Sequence, residues 1–229
     1  MRLGVVTGLE REAGCLGVFP AADRPAVNCQ GPGPKAAALA ASRLLADGCG
    51  ALLSFGLAGG LTEDLRPGGI VVADAVVGED GQLWPTDSGW RKTLEQTLHG
   101  TFPGEIRQSR LLGLDRPLIT PLEKKDYGTR LNADAVDMES LAVASAAAKA
   151  QVPFIAVRAV IDPLDQAIPE WLAATLDNHG RPQAARLLAG LALHARDLPT
   201  LLRLALNERA AMTALRRVAL DAGPLFALG

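Results

Sequence analysis

The chain has little cysteine, no excess of basic residues and no long uncharged apolar run, and each absence removes a class of function. Cys15, Cys29 and Cys49 are odd in number and show no CxxC or Cys/His spacing. Neither a disulfide scaffold nor a metal site is expected, and a reduced, cytoplasmic setting fits best. Lys plus Arg total 23 against 25 Asp plus Glu, a formal net charge of −2, so nucleic acid is not an expected partner. No stretch approaches the roughly 18 uncharged apolar residues of a membrane-spanning helix. The opening "MRLGVVTGLEREAG" has no long apolar core of a signal peptide, because Glu10, Arg11 and Glu12 interrupt it. There is no internal repeat and no low-complexity linker, which favours one domain.

What is present is a chain of 229 residues, 48% hydrophobic and 21% charged, as in a compact soluble protein. Short apolar runs alternate with Ala/Leu-rich helical segments. "RLGVV", "RPAVNC", "ALLSFG", "GGIVVADAVV", "RPLIT", "ADAVDM" and "VPFIAVRAVI" read as strands, with "GLAGGL" as a Gly-rich turn after the third. "PKAAALAASRLLADG", "GWRKTLEQTLHG" and "ESLAVASAAAKA" read as helices, the first with Pro34 near its start and Gly48 past its end. Strands apolar on both faces, interleaved with helices, predict an α/β fold with a largely parallel sheet. From "DLPTLLRLALNERAAMTALRRVAL" onward the sequence turns helical and arginine-rich, so residues 1–196 are expected as the main domain and 197–229 as a C-terminal helical extension.

Acids cluster where such folds bind ligands, beyond the carboxyl ends of the strands. The first strand leads to Glu10 and Glu12, a later one to Asp137 and Glu139, and the last to Asp162. Taken singly each is ordinary. Glu12 and Glu139 suit the first turn of a helix, Asp162 before Pro163 suits a turn, and Arg158 reads as a structural charge paired with Asp137. Together, with Gly56, Gly59 and Gly60 allowing backbone to approach a ligand closely, they converge on one crevice.

The ordered set "GLERE", "GPGPKAAA", "SFGLAGGL…LRPGGIVV", "VDMES" and "PFIAVRAVID" resembles the purine nucleoside phosphorylase and nucleosidase superfamily. It is most similar to the methylthioadenosine/S-adenosylhomocysteine nucleosidases and to the hopanoid-associated phosphorylase relatives. The resemblance implies a three-layer fold with a mixed, largely parallel sheet flanked by helices. It also implies cleavage of the bond between ribose C1′ and a purine nitrogen. By the same resemblance Glu12 orients the attacking water, Met138 and Glu139 hold the ribose, and Asp162 assists the leaving base at N7. Gly56, Ala58 and Gly59 would form the turn beside the reacting centre. Leu118 and Ile119 fall where relatives supply base-stacking residues, although the segment is short there. The implied substrate is a 5′-substituted adenosine such as adenosylhopane, in a homo-oligomer without a cofactor.

Water is favoured over phosphate as nucleophile because Ser54 and Leu57 stand where the phosphorylases carry an Arg and a Ser. Glu12 would in addition repel a dianion. Phosphate as co-substrate is the alternative, and a non-catalytic nucleoside-binding protein is a second one. Trp84 and Trp90, with Leu201, Leu202, Leu204, Met212 and Leu215 of the tail, offer either an apolar mouth for a 5′ substituent or plain core and interface packing. Arg203, Arg209, Arg216 and Arg217 would let the C-terminal helix touch an anionic membrane surface.

Overall fold

The elements follow the hydrophobic pattern closely. In chain order they are β1 (Leu3–Thr7), α1 (Glu10–Cys15), β2 (Ala26–Cys29), α2 (Pro34–Ala46), β3 (Ala51–Gly60), β4 (Ile70–Val77), β5 (Leu83–Pro85) and α3 (Ser88–Leu98). Then come β6 (Ile106–Gly113), α4 (Pro121–Leu131), β7 (Ala135–Asp137), α5 (Ser140–Ala150), β8 (Phe154–Asp162), α6 (Glu170–Ala173), α7 (Ala184–Leu193) and α8 (Leu198–Ala222). This computed structural model describes residues 1–100, 102, 106–173, 175 and 184–229.

Among the described residues all eight strands belong to one sheet, ordered β2-β1-β3-β7-β6-β4-β5, with β8 pairing both β3 and β4. The pairings are parallel except β3 with β7, β4 with β5 and β4 with β8. Because β8 joins β3 to β4 while β7 and β6 join them the other way, β3, β8, β4, β6 and β7 close into a ring. Closure removes the free edges of those strands and gathers their ends around one opening.

Alternate residues of the strands supply two faces, as a period of two requires. Val6, Leu52, Val71 and Ala156 point to a cluster closed by Ala37, Ala40, Ala41 and Leu44 of α2 and Val143, Ala144 and Ala147 of α5. Their neighbours Val5, Leu53, Val72 and Val157 face a second cluster closed by Leu94 and Leu98 of α3 and Ala211, Leu215 and Val218 of α8. The architecture is the expected three layers. Small residues on α2 and α5 let those helices lie close to the sheet, so packing rather than helix propensity holds them.

Several expectations need correction. "RPLIT" forms no strand: Pro117, Leu118 and Ile119 run as irregular chain into α4. "GLAGG" is not a turn, because β3 continues through it to Gly60. Strands β5 and β6 and helix α4 lie where no such element was expected. The tail forms α8, whose inner face is buried in the same cluster as β1, β3 and β8. Trp90 is buried in that cluster and donates from Nε1 to the Phe226 carbonyl at 2.7 Å, and Trp84 packs against the other cluster. Neither forms an apolar mouth.

Candidate active site

At the ring's opening lies a cavity of about 270 Å³, and Glu12, Met138, Glu139 and Asp162 all line it, with Ala58, Gly59 and Leu118. Each side chain arrives by a different local device. Glu12 sits at the third position of α1, and its Oε2 accepts from the backbone N–H groups of Gly8 and Leu9, both at 2.9 Å. That is the reaching-back half of a capping box. Its Oε1 accepts from the Leu57 N–H at 2.9 Å, tying α1 to the middle of β3. Gly56 does not line the cavity. It lies beneath Glu12, where a Cβ would come within 2.7 Å of Oε1.

Asp162 is aimed by an irregularity in the sheet. The register of β3 with β8 pairs Ala58 with Val160 but Gly59 with Asp162, so Ile161 is an extra residue on β8. In a regular strand neighbouring residues face opposite sides. The bulge instead places both Ile161 and Asp162 against the cavity. Glu139 ends β7's connection to α5, and its Oε1 accepts from the Gly33 N–H at 2.8 Å, just ahead of α2. This contact explains "GPGPKAAA": the helix start supplies a backbone donor to the buried acid.

The charges are unequally compensated. Arg158 is 1% exposed and gives Nε to Asp137 Oδ2 at 2.6 Å and NH2 to the hydroxyls of Ser54 at 2.7 Å and Ser140 at 2.9 Å. It is the paired structural charge that was expected. Among the described residues Glu12 and Glu139 have no such ion pair. Burial pushes Glu12 above the usual carboxylate range, opposed by Arg158 and its three backbone donors. Burial, then repulsion from Asp137 and Glu12, pushes Glu139 up to about 7. Burial raises Asp162 to about 6, against the pull of Lys124. Acids that titrate near neutrality are those suited to accepting or giving a proton.

Lys124 was not anticipated. It is fully buried on α4 and donates to Asp162, to the Pro163 carbonyl at 2.9 Å and to the Gln166 carbonyl at 3.0 Å. Nothing in "PLEKKDYG" distinguishes it from Lys125. The helix that carries it did have a signal: Thr120 accepts from the Glu123 N–H at 3.2 Å and donates to its carboxylate, the S/T-x-x-E pattern of a helix start. Ile119 stays off the cavity, and its carbonyl accepts from the Ile168 N–H at 2.9 Å instead. Among the described residues no group of His, Cys, Asp and Glu could hold a metal ion, and no helix is long and apolar enough to cross a membrane.

A family model described as "Phosphorylase superfamily" matches residues 10–195. No curated protein matches the sequence. Among solved structures the fold is similar to the 5′-methylthioadenosine/S-adenosylhomocysteine nucleosidase of Neisseria meningitidis in complex with methylthio-immucillin-A. That match has 16% identity and a TM-score of 0.76 over 99% of both chains. It is also similar to the futalosine hydrolase of Helicobacter pylori, at 18% identity and TM-score 0.64 over 72% of this chain and 86% of that one. The nucleosidase of Colwellia psychrerythraea in complex with adenine has 21% identity and TM-score 0.63, over 71% and 83%. The chain belongs to the Phosphorylase superfamily, the group of purine nucleoside phosphorylases and nucleosidases that its motifs resemble.

Proposed function

We propose that the protein is a nucleosidase that releases adenine from a 5′-substituted adenosine, with water as the nucleophile. The observation that carries this reading is the meeting of Glu12, Glu139 and Asp162, from three separate segments, on one cavity. Breaking the C1′–N9 bond builds positive charge on the ribose and negative charge on the purine. Asp162, titrating near 6, is a general acid for the departing base, a role worth about 10²–10⁴ in rate. Glu139 accepts from the sugar hydroxyls and offsets the charge on the ring, while Met138 lies under it. Glu12, fixed by three backbone donors, orients the water and takes its proton.

The cavity's electrostatics favour water over phosphate. A dianion beside C1′ would lie next to Glu12 and Glu139. The cations at the rim are already engaged, Arg11 with Glu208 and Arg116 with Glu123. A second cleft of about 650 Å³, lined in part by Ile168, which also lines the first cavity, is the candidate place for the 5′ substituent. This supports a large substituent, and adenosylhopane is the candidate from the sequence resemblance. Leu198, Leu202 and Leu206, exposed at four-residue spacing on α8 with Arg203 and Arg209 beside them, support contact with a lipid surface, and a homo-oligomer belongs to the same reading.

The test is incubation of the purified protein with adenosylhopane, methylthioadenosine and inosine, with and without phosphate, following free base. The expected result is adenine release independent of phosphate, with free sugar as the other product. Release that requires phosphate and yields a sugar 1-phosphate would overturn the choice of nucleophile. No release from any of the three would overturn the enzyme.

A further inference from the structure

The buried ion pair behind the cavity carries an inference about how Asp162 works. Lys124 is 0% exposed and does not line the cavity, whereas Asp162 does. The ammonium therefore stands behind the carboxyl group. Its three acceptors, one oxygen of Asp162 and the carbonyls of Pro163 and Gln166, match the three protons an ammonium has to place. An ammonium out of water needs a counter-charge as well as hydrogen bonds, and two carbonyls do not supply one. In the resting ion pair the counter-charge is the Asp162 carboxylate, and the reactive state is the one in which Asp162 has taken up a proton from solvent. The same three contacts clamp the chain that leaves β8, which is irregular there because of the bulge at Ile161.

We propose that Lys124 is a positioning residue for glycosidic cleavage: it holds Asp162 in the orientation that faces the base, and it governs how readily that carboxyl group releases its proton. The inference rests on the nucleosidase reading above. In the step, the C1′–N9 bond breaks with its electron pair going to the purine, and the proton of Asp162 moves to N7. Water adds to C1′ and gives its proton to Glu12. Lys124 stays protonated throughout and stabilises the Asp162 carboxylate as it forms. The other charged groups around the cavity are Glu12 from α1, Glu139 ahead of α5, Arg158 of β8 with Asp137 of β7, and Arg11 and Arg116 at the rim. Among the described residues, Lys124 is the one that forms an ion pair with Asp162.

The experiment compares wild type, Lys124→Arg, Lys124→Gln and Lys124→Met, each checked for a cooperative melt. The alkaline limb of kcat is measured with the nucleoside that wild type cleaves. Removing the cation is expected to move that limb upward by about one pH unit or more. The plateau kcat should fall about tenfold or more with KM little changed. Lys124→Arg should keep the limb near its wild-type position. A limb that stays put in both Lys124→Gln and Lys124→Met, or a change in KM alone, would overturn the inference. Titration of the Asp162 carboxyl carbon by 13C NMR reads the same shift without turnover. If wild type cleaves no nucleoside but this titration moves upward, the nucleosidase reading fails while the control of Asp162 by Lys124 stands. An unmoved titration rejects that control whatever the activity.

Discussion

Glu139 and Asp162 illustrate two ways to keep an acid inside a protein, and they predict different behaviour. Among the described residues Glu139 has a single backbone donor and no ion-pair partner, and burial raises it from 4.5 to about 7. A carboxyl group raised on folding contributes stability that is complete below its unfolded value, near 4.5, and lost as pH climbs through about 7. Glu139→Gln should therefore melt higher than wild type at pH 8, by about 2–4 °C for roughly 1 kcal/mol in a chain of this size. The gap should close toward pH 5, as calorimetry across that range would reveal. Asp162 has a buried counter-ion, so its removal acts the other way. Asp162→Asn should lose about 10²–10⁴ in kcat and also strand the Lys124 ammonium, at a cost of about 3–5 kcal/mol. Adding Lys124→Met should restore most of the stability and none of the turnover, which denaturant titration of the single and double variants will show. The acids themselves were visible in the sequence as "GLERE", "VDMES" and "AVID". Their unequal compensation was not, because it depends on partners 38 or more residues away.

At the level of elements, β3 is the most instructive. Glycine usually weakens a strand, so "GLAGG" read as a turn; yet the strand continues because its neighbours β7 and β8 supply pairing on both sides. The glycines serve contact instead of turning. Gly56→Ala would place a methyl group within 2.7 Å of Glu12 Oε1, displacing that carboxylate while leaving the identity of every cavity-lining residue unchanged. A misplacement near 1 Å is worth about 10²-fold in rate. Steady-state kinetics should show a loss of at least that order, with the melting temperature much less affected than by a core truncation. The start of α4 had a local signal in "TPLE", where Thr120 caps the helix by accepting from the Glu123 N–H. The strand β6 was obscured because "IRQSRLLG" mixes arginines with its apolar residues: Arg107 reaches Asp64 and Asp134 rather than the core.

For the molecule as a whole, helix α8 is a structural layer as well as a tail. Leu215 is fully buried against the sheet face that α1 and α3 also cover. Leu215→Ala should cost about 2–5 kcal/mol of stability, measured by denaturant unfolding, with kcat of the folded fraction unchanged because the residue is not part of the cavity lining. The reason the tail looked like an extension is compositional: it is rich in leucine and arginine, whereas the face it buries is made of Ala211, Ala214, Leu215, Val218, Ala219 and Ala222. Leu202 and Leu206 remain outside at 59% and 68% exposure.

The sequence by itself determined the layers, most of the buried strands, the family and the positions of the candidate acids, because hydrophobic period and short motifs are local properties of the chain. Closing β3, β8, β4, β6 and β7 into a ring decided the rest. Only that closure sets the bulge that turns Asp162 toward the cavity, brings Lys124 behind it and leaves Glu139 without an ion-pair partner among the described residues. Contacts between distant segments depend on how the chain returns to itself, and no local pattern encodes that.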